Sequence, residues 1–86
     1  MEGLLRRALK EYNRREAPLA EARLVSVEGD TAKVELSGPF YYECGMYAWV
    51  DSLLSCLEEV LGYRVRGEVL EEVPGKITIE LTLRDF

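Results

Sequence analysis

The chain has 86 residues, of which 48% are hydrophobic and 31% charged. This is enough for one folded domain with one core, and it excludes an enzyme built from separate cofactor and substrate domains. Histidine is absent, which excludes Ser-His and Cys-His nucleophiles and removes the most common metal ligand. The net charge of −5 does not favour a polyanion such as nucleic acid as partner. We therefore predict a single domain over residues 1–86 that is not an enzyme and holds no metal or cofactor.

The first segment predicts an amphipathic helix over residues 3–16, because apolar residues recur at helical spacing before Pro18. This helix is basic: five cations against three glutamates give residues 1–16 a net charge of +2 and leave −7 for residues 17–86. The five cations are Arg6, Arg7, Lys10, Arg14 and Arg15. Their plain interpretation is a solvated helix face. The alternative is an accessory subunit that binds nucleic acid through this helix.

A β-hairpin is predicted over residues 22–37, with its turn near Gly29. In its first strand Val25 and Val27 are expected to face the same way. In its second strand the apolar residues Ala32, Val34 and Leu36 alternate with polar ones.

Residues 45–61 form the longest periodic stretch and predict a second helix that stops at Gly62. Beside its broad apolar arc runs a row of small side chains, formed by Gly45, Ala48, Ser52 and Cys56. Helices approach closely where side chains are small. Either the first helix packs on this row, or a second copy of the chain or a ligand does. We take the row as a predicted homodimer interface, with a sheet edge as the alternative.

Residues 63–84 predict a second hairpin with its turn at Pro74-Gly75. Four strands with one apolar face each and two amphipathic helices predict an α+β fold. It has two layers, a four-stranded antiparallel sheet and both helices on one face, in the order α-β-β-α-β-β.

Four of the chain's eight aromatic residues fall between positions 41 and 49, a density typical of apolar pockets and interfaces. Tyr42, Cys44 and Trp49 are therefore predicted to border a ligand site. Cys44 precedes the second helix, where the helix dipole lowers a thiol pKa. This leaves open an alternative function, a thiol-based redox sensor or a thiol-dependent enzyme that uses Cys44.

Cys44 and Cys56 are too far apart along one helix for a disulfide, and no apolar run is long enough to span a membrane. Both features predict a cytoplasmic protein with free thiols. The absence of glutamine and the single asparagine, Asn13, predict a thermophilic source.

Residues 41–83, YYECGMYAWVDSLLSCLEEVLGYRVRGEVLEEVPGKITIELTL, resemble the C-terminal half of the 4-vinyl reductase domain and of the related TRAPP vesicle-tethering subunits. The shared features are a cysteine that opens a helix, small residues along it, a Leu-Gly exit, an acidic residue, a turn glycine and a final apolar strand. They correspond here to Cys44, Ala48, Ser52, Ser55, Leu61-Gly62, Glu68, Gly75 and residues 77–83.

Two departures from the family limit what this resemblance implies. Many members carry two further cysteines at the places of Glu71 and Ile79, which argues against a thiolate metal site. Members also carry additional N-terminal helices around a small-molecule pocket, so this chain resembles a minimal core whose cavity would form between subunits. The resemblance implies a ligand-binding or scaffolding module that dimerises, with a small apolar ligand or a protein as partner and no turnover of its own.

Overall fold

The computed structural model describes residues 2–42 and 46–83. It contains, in chain order, α1 (Glu2–Glu16), β1 (Glu21–Glu28), β2 (Thr31–Ser37), a 3-10 turn (Pro39–Tyr42), α2 (Met46–Leu61), β3 (Arg66–Val73) and β4 (Lys76–Thr82). The α-β-β-α-β-β order predicted from the sequence is confirmed.

The four strands form one sheet in the order β1-β2-β4-β3, and each neighbouring pair is antiparallel. Alternate side chains of the two central strands are buried: Ala32, Val34 and Leu36 of β2, and Ile77, Ile79 and Leu81 of β4. The side chains between them are polar. One face of the sheet therefore carries the core and the other is open and polar, which confirms the predicted two-layer α+β fold.

Both helices contact the core face, α1 above β1 and α2 above β3, and they pack against each other. Each contributes one apolar stripe, which includes Leu5, Ala8, Leu9 and Tyr12 in α1 and Val50, Leu53, Leu57 and Leu61 in α2. Burial of one such aliphatic side chain contributes about 1.5–3 kcal/mol to folding, so these two stripes fix both helices on the sheet.

The edge strands β1 and β3 each contain a bulge, between Leu24 and Ser26 and between Val69 and Glu71. The prediction that Val25 and Val27 face the same way is wrong. Val25 is the extra residue of the first bulge, so its side chain is 45% exposed while Val27 packs against the core. A bulge inserts one residue and shifts the alternation by one position.

Helix α2 ends where the sequence predicts, at Leu61. Gly62 follows with φ +83°, and its N–H donates to the carbonyl of Glu58. The Glu58 carboxylate also accepts a hydrogen bond from the N–H of Val65, at 2.9 Å. This N–H is thus bonded outside the sheet, and β3 begins at Arg66 rather than at the predicted residue 63.

Candidate functional site

Two of the predicted ligand-site residues lie in described elements, Tyr42 in the 3-10 turn and Trp49 in α2. Tyr42 closes this turn and is 74% exposed, whereas Trp49 is half-buried against the core. The ring of Trp49 packs against that of the buried Phe40, with centroids 5.9 Å apart and planes tilted by 48°. Cys44 and Gly45 lie outside the described residues, so the structure places only the tyrosine and the tryptophan of the predicted ligand site.

Three tyrosines, Tyr41, Tyr42 and Tyr47, form what we call the tyrosine patch. The rings of Tyr41 and Tyr42 meet edge to face with centroids 5.3 Å apart. Tyr47, from the first turn of α2, is 60% exposed. An exposed aromatic group with a polar tip is the side chain most enriched at protein interfaces.

The tyrosine patch is tied to the far edge of the sheet by a polar contact. The hydroxyl of Tyr41 donates to Oε2 of Glu72 in β3, at 3.2 Å. Desolvation and the Glu72 carboxylate raise the pKa of Tyr41, and Tyr42 and Tyr47 add smaller effects in the same direction. The Tyr41 phenol is therefore neutral at physiological pH, next to the Glu72 carboxylate to which it is hydrogen-bonded.

The described residues of the predicted interface row on α2 differ in their exposure to solvent. Ala48 and Ser52 are exposed, and with Trp49 and Glu16 they line a shallow depression of about 240 Å³. Cys56, one turn further on, is only 4% exposed. The end of α1 lies over this part of α2, where Arg15 bonds Glu59 at 3.5 Å. The first helix thus occupies one end of the row and leaves the other at the surface.

Cys56 does not have the environment of a reactive thiol. Burial raises its pKa, an effect that Arg15 partly opposes and that Glu59 and two acidic residues of α1 reinforce. A raised pKa keeps the sulfur as the protonated, poorly nucleophilic thiol at neutral pH.

A second depression, which we call the basic groove, lies between α1 and β1 and has a volume of about 580 Å³. Its rim carries Arg6, Arg7 and Lys10 from α1 and Arg23 from β1. The sequence pattern indicates the three helix cations but not Arg23. Arg23 lies between two inward residues of β1, and its side chain pairs with Glu35 on the polar face of the sheet. Only the packing of α1 on β1 shows that this part of the strand lines the same groove as the helix cations.

The remaining cations of α1 are used within the chain. Glu11 accepts hydrogen bonds from Arg14 at 2.7 Å and from Arg15 at 2.8 Å. These bonds, that of Arg14 foremost, lower the pKa of Glu11 to about 2. Of the five cations predicted as a solvated face or a nucleic-acid site, these two therefore share one carboxylate of the same helix.

Other kinds of site find little support in the described part of the chain. Apart from the Tyr12 hydroxyl and the Cys56 thiol, the buried side chains there carry no polar or charged group, and no three Cys, Asp or Glu side chains are grouped so that they could hold a metal ion. Neither described helix is long and apolar enough to cross a membrane.

No family model, curated protein or solved structure gives a significant match to this chain.

Proposed function

We propose that this chain is a non-enzymatic binding and assembly module that forms a homodimer through the tyrosine patch. The observation that carries the proposal is the exposure of Tyr42 and Tyr47, at 74% and 60%, both of them near enough to Tyr41 to raise its pKa. Exposure of large aromatic rings to water is unfavourable, and their burial against a partner lowers the free energy.

The net charge permits a second copy as partner only where the two chains meet through uncharged side chains. Two copies of a chain with net charge −5 repel each other unless they meet through an uncharged surface. The tyrosine side chains of the patch are not acidic or basic groups at neutral pH, although the Glu72 carboxylate adjoins Tyr41, and a phenol hydroxyl both donates and accepts hydrogen bonds. The patch can therefore pair with its own copy across a two-fold axis.

Edge-to-edge pairing of two sheets is a poorer route to a dimer. Both edge strands contain a bulge, and β3 carries the exposed carboxylates of Glu68, Glu71 and Glu72. Bulges and charges on edge strands are the means by which proteins prevent such pairing.

A small apolar ligand would then be enclosed between the two copies, bordered by Tyr42, Trp49 and Cys44. The exposed end of the small-residue row, Ala48 and Ser52, adjoins Trp49 in the same depression and would face the partner. A minimal core of the 4-vinyl reductase type, as the sequence resemblance implies, would use its dimer in this way.

Sedimentation equilibrium over a range of concentrations tests the proposal, with native mass spectrometry to detect a retained ligand mass. The wild type is expected to dimerise, and Tyr42→Ser with Tyr47→Ser to weaken the dimer by about tenfold or more. The matched control, Leu4→Ser with Val25→Ser, removes two other exposed apolar groups and should leave the dimer unchanged. A wild type that stays monomeric at high micromolar concentration, or a dimer insensitive to the tyrosine changes, would overturn the proposal.

A further inference from the structure

The basic groove combines charge, an apolar floor and an exposed sheet edge. Three cations of α1 and Arg23 of β1 are among the residues that line it, and no carboxylate is among the described residues that do so. The Arg23 side chain pairs with Glu35 on the polar face of the sheet, so it flanks the strand edge on the side away from α1. Its floor includes the buried Leu9 and the half-buried Leu24. A ligand that fits here is anionic and also has apolar groups to place on the floor.

Two of the four cations, Arg7 and Lys10, can bind a ligand without first breaking an ion pair. The other two form ion pairs, Arg6 with Glu2 and Arg23 with Glu35. The side chains of Arg6, Glu2 and Arg23 are largely exposed, whereas that of Glu35 is partly buried. Exposed pairs of this kind contribute little stability and exchange partners readily. Arg7 and Lys10 are exposed and form no ion pair with any described residue. The rim therefore keeps a net positive charge although the whole chain is acidic.

The edge of β1 offers backbone hydrogen bonds in the same groove. The N–H and C=O of Ala22 are both hydrogen-bonded to the side chain of Asn13. They therefore point away from β2. Leu24, two residues further on in the same register, presents its N–H and C=O in the same direction. By this register both Leu24 groups lie outside the β1–β2 ladder, and no side chain or non-sheet backbone group among residues 2–42 and 46–83 bonds to either of them.

We propose that the basic groove binds an extended acidic segment of a partner protein, which adds as a short strand to the edge of β1 at Leu24. Backbone hydrogen bonds to the strand edge hold the segment. Its side chains alternate in direction, so one set meets Arg7, Lys10 and Leu9 and the other meets Arg23. The bulge at Val25 and the Asn13 contact at Ala22 confine pairing to a few residues, which suits a peptide rather than a continuous sheet.

A nucleic acid fits the same surface less well. Its phosphates would use the cations, but neither the apolar floor nor the open strand edge offers it a contact. The net charge of −5 also opposes the approach of a long polyanion.

Fluorescence anisotropy with labelled probes tests the proposal on the full chain. The main probe is a peptide of alternating Glu and Val. A Glu-Pro peptide has the same charge but lacks half of the backbone N–H groups, a Lys-Val peptide reverses the charge, and a single-stranded RNA supplies phosphates. We expect saturable binding of the Glu-Val peptide only, and amide shifts in NMR spectra centred on Leu24.

The charge reversals Arg7→Glu with Lys10→Glu are expected to weaken Glu-Val binding by about tenfold or more. The matched control, Lys33→Glu with Arg64→Glu, changes the net charge equally at exposed cations outside the groove and should have a much smaller effect. Absence of Glu-Val binding overturns the proposal, as do equal binding of the Glu-Pro peptide, tighter binding of the RNA, or equal effects of the two variant pairs. None of these outcomes depends on the dimer proposed above, which the tyrosine variants test separately.

Discussion

The side-chain amide of Asn13 makes both outward backbone hydrogen bonds of Ala22. Its Nδ2 donates to the Ala22 carbonyl at 2.9 Å, and its Oδ1 accepts from the Ala22 N–H at 2.7 Å. One planar amide thus supplies the donor and the acceptor that a neighbouring strand would supply. The only asparagine of the chain fastens α1 to edge strand β1 and sets where the open part of that edge begins.

Replacement Asn13→Asp is expected to destabilise the protein. Aspartate keeps an acceptor for the Ala22 N–H but directs a second negative oxygen at the Ala22 carbonyl. We expect the free energy of unfolding at neutral pH to fall by about 1–3 kcal/mol, as measured by urea denaturation. The deficit should shrink in acid, where the protonated carboxyl regains a donor.

Lys10→Ala is the matched control for this change. Lys10 lies three residues earlier on α1, is exposed and has no ion pair within the described chain, so its loss should change stability by less than about 0.5 kcal/mol. An Asn13→Asp protein as stable as the wild type at neutral pH would show that the two hydrogen bonds contribute nothing.

Tyr12→Phe is expected to be neutral or stabilising. The Tyr12 side chain is 1% exposed, and its hydroxyl finds no hydrogen-bond partner among the described residues. Burial raises its pKa, so the group is a neutral phenol at any ordinary pH. A buried hydroxyl without a partner costs free energy that phenylalanine avoids. We expect a gain of zero to about 1 kcal/mol, measured as a thermal midpoint higher by up to about 4–8 °C.

The comparison variant is Tyr41→Phe, which removes the same atom from a hydroxyl that does have a partner, Glu72. It should lose up to about 1 kcal/mol, because an exposed hydrogen bond is removed. If Tyr12→Phe loses more than Tyr41→Phe, the Tyr12 hydroxyl has an unrecognised partner.

Hydrophobic alternation predicted the central strands but not the edges. Ala32, Val34 and Leu36 alternate without interruption, since β2 is paired on both sides and any insertion would break two ladders. β1 has a partner on one side only, so a bulge at Val25 is tolerated, and nothing in the residue pattern marks it. The expectation that Val25 and Val27 share a face therefore fails, because the bulge lies between Leu24 and Ser26.

The candidate surfaces were predictable only where their residues are close in sequence. The tyrosine patch could be anticipated because its members lie within seven positions, 41–47. The Glu72 carboxylate joins it only because the sheet order places β3 at the edge. The basic groove likewise needed the packing of α1 on β1, which makes the strand edge at Arg23 and Leu24 line the same groove as Arg7 and Lys10.

Glu11 makes the stability of the protein dependent on pH in the acid range. Hydrogen bonds from Arg14 and Arg15 lower its pKa in the folded state from 4.5 to about 2. A lowered pKa stabilises the folded state above pH 4.5, and this contribution is lost as the pH falls from 4.5 towards 2. We expect Glu11→Gln to unfold with a shallower pH dependence over this range, measured by urea midpoints at low salt.

Glu68→Gln is the control for Glu11, because Glu68 has no ion pair among the residues that the structure describes. It should follow the wild-type pH profile. High salt should bring the Glu11→Gln and wild-type profiles together, since exposed charges are screened. Parallel profiles for all three proteins at low salt would contradict the assignment.

Gly38 joins three parts of the chain and is expected to tolerate no side chain. A Cβ at this position would lie 2.5 Å from the Leu19 carbonyl oxygen and 3.3 Å from Cα of Ala20. The same Leu19 oxygen accepts from the N–H of Phe40, and the Gly38 N–H donates to the Gly75 carbonyl at 3.2 Å. Backbone atoms therefore surround the site, and they move only if these hydrogen bonds are disturbed.

Gly38→Ala combines this clash with a φ of +135°, which residues with a Cβ rarely adopt. We expect it to lower the free energy of unfolding by about 2–4 kcal/mol, measured by urea denaturation. Gly67→Ala should cost less, because its closest contact, at 2.9 Å, is a methyl group of the flexible Leu54 side chain. Gly3→Ala, in a helix with open space around it, should be neutral or stabilising. If Gly38→Ala is as stable as Gly3→Ala, the chain does not pass as close to Leu19 as described.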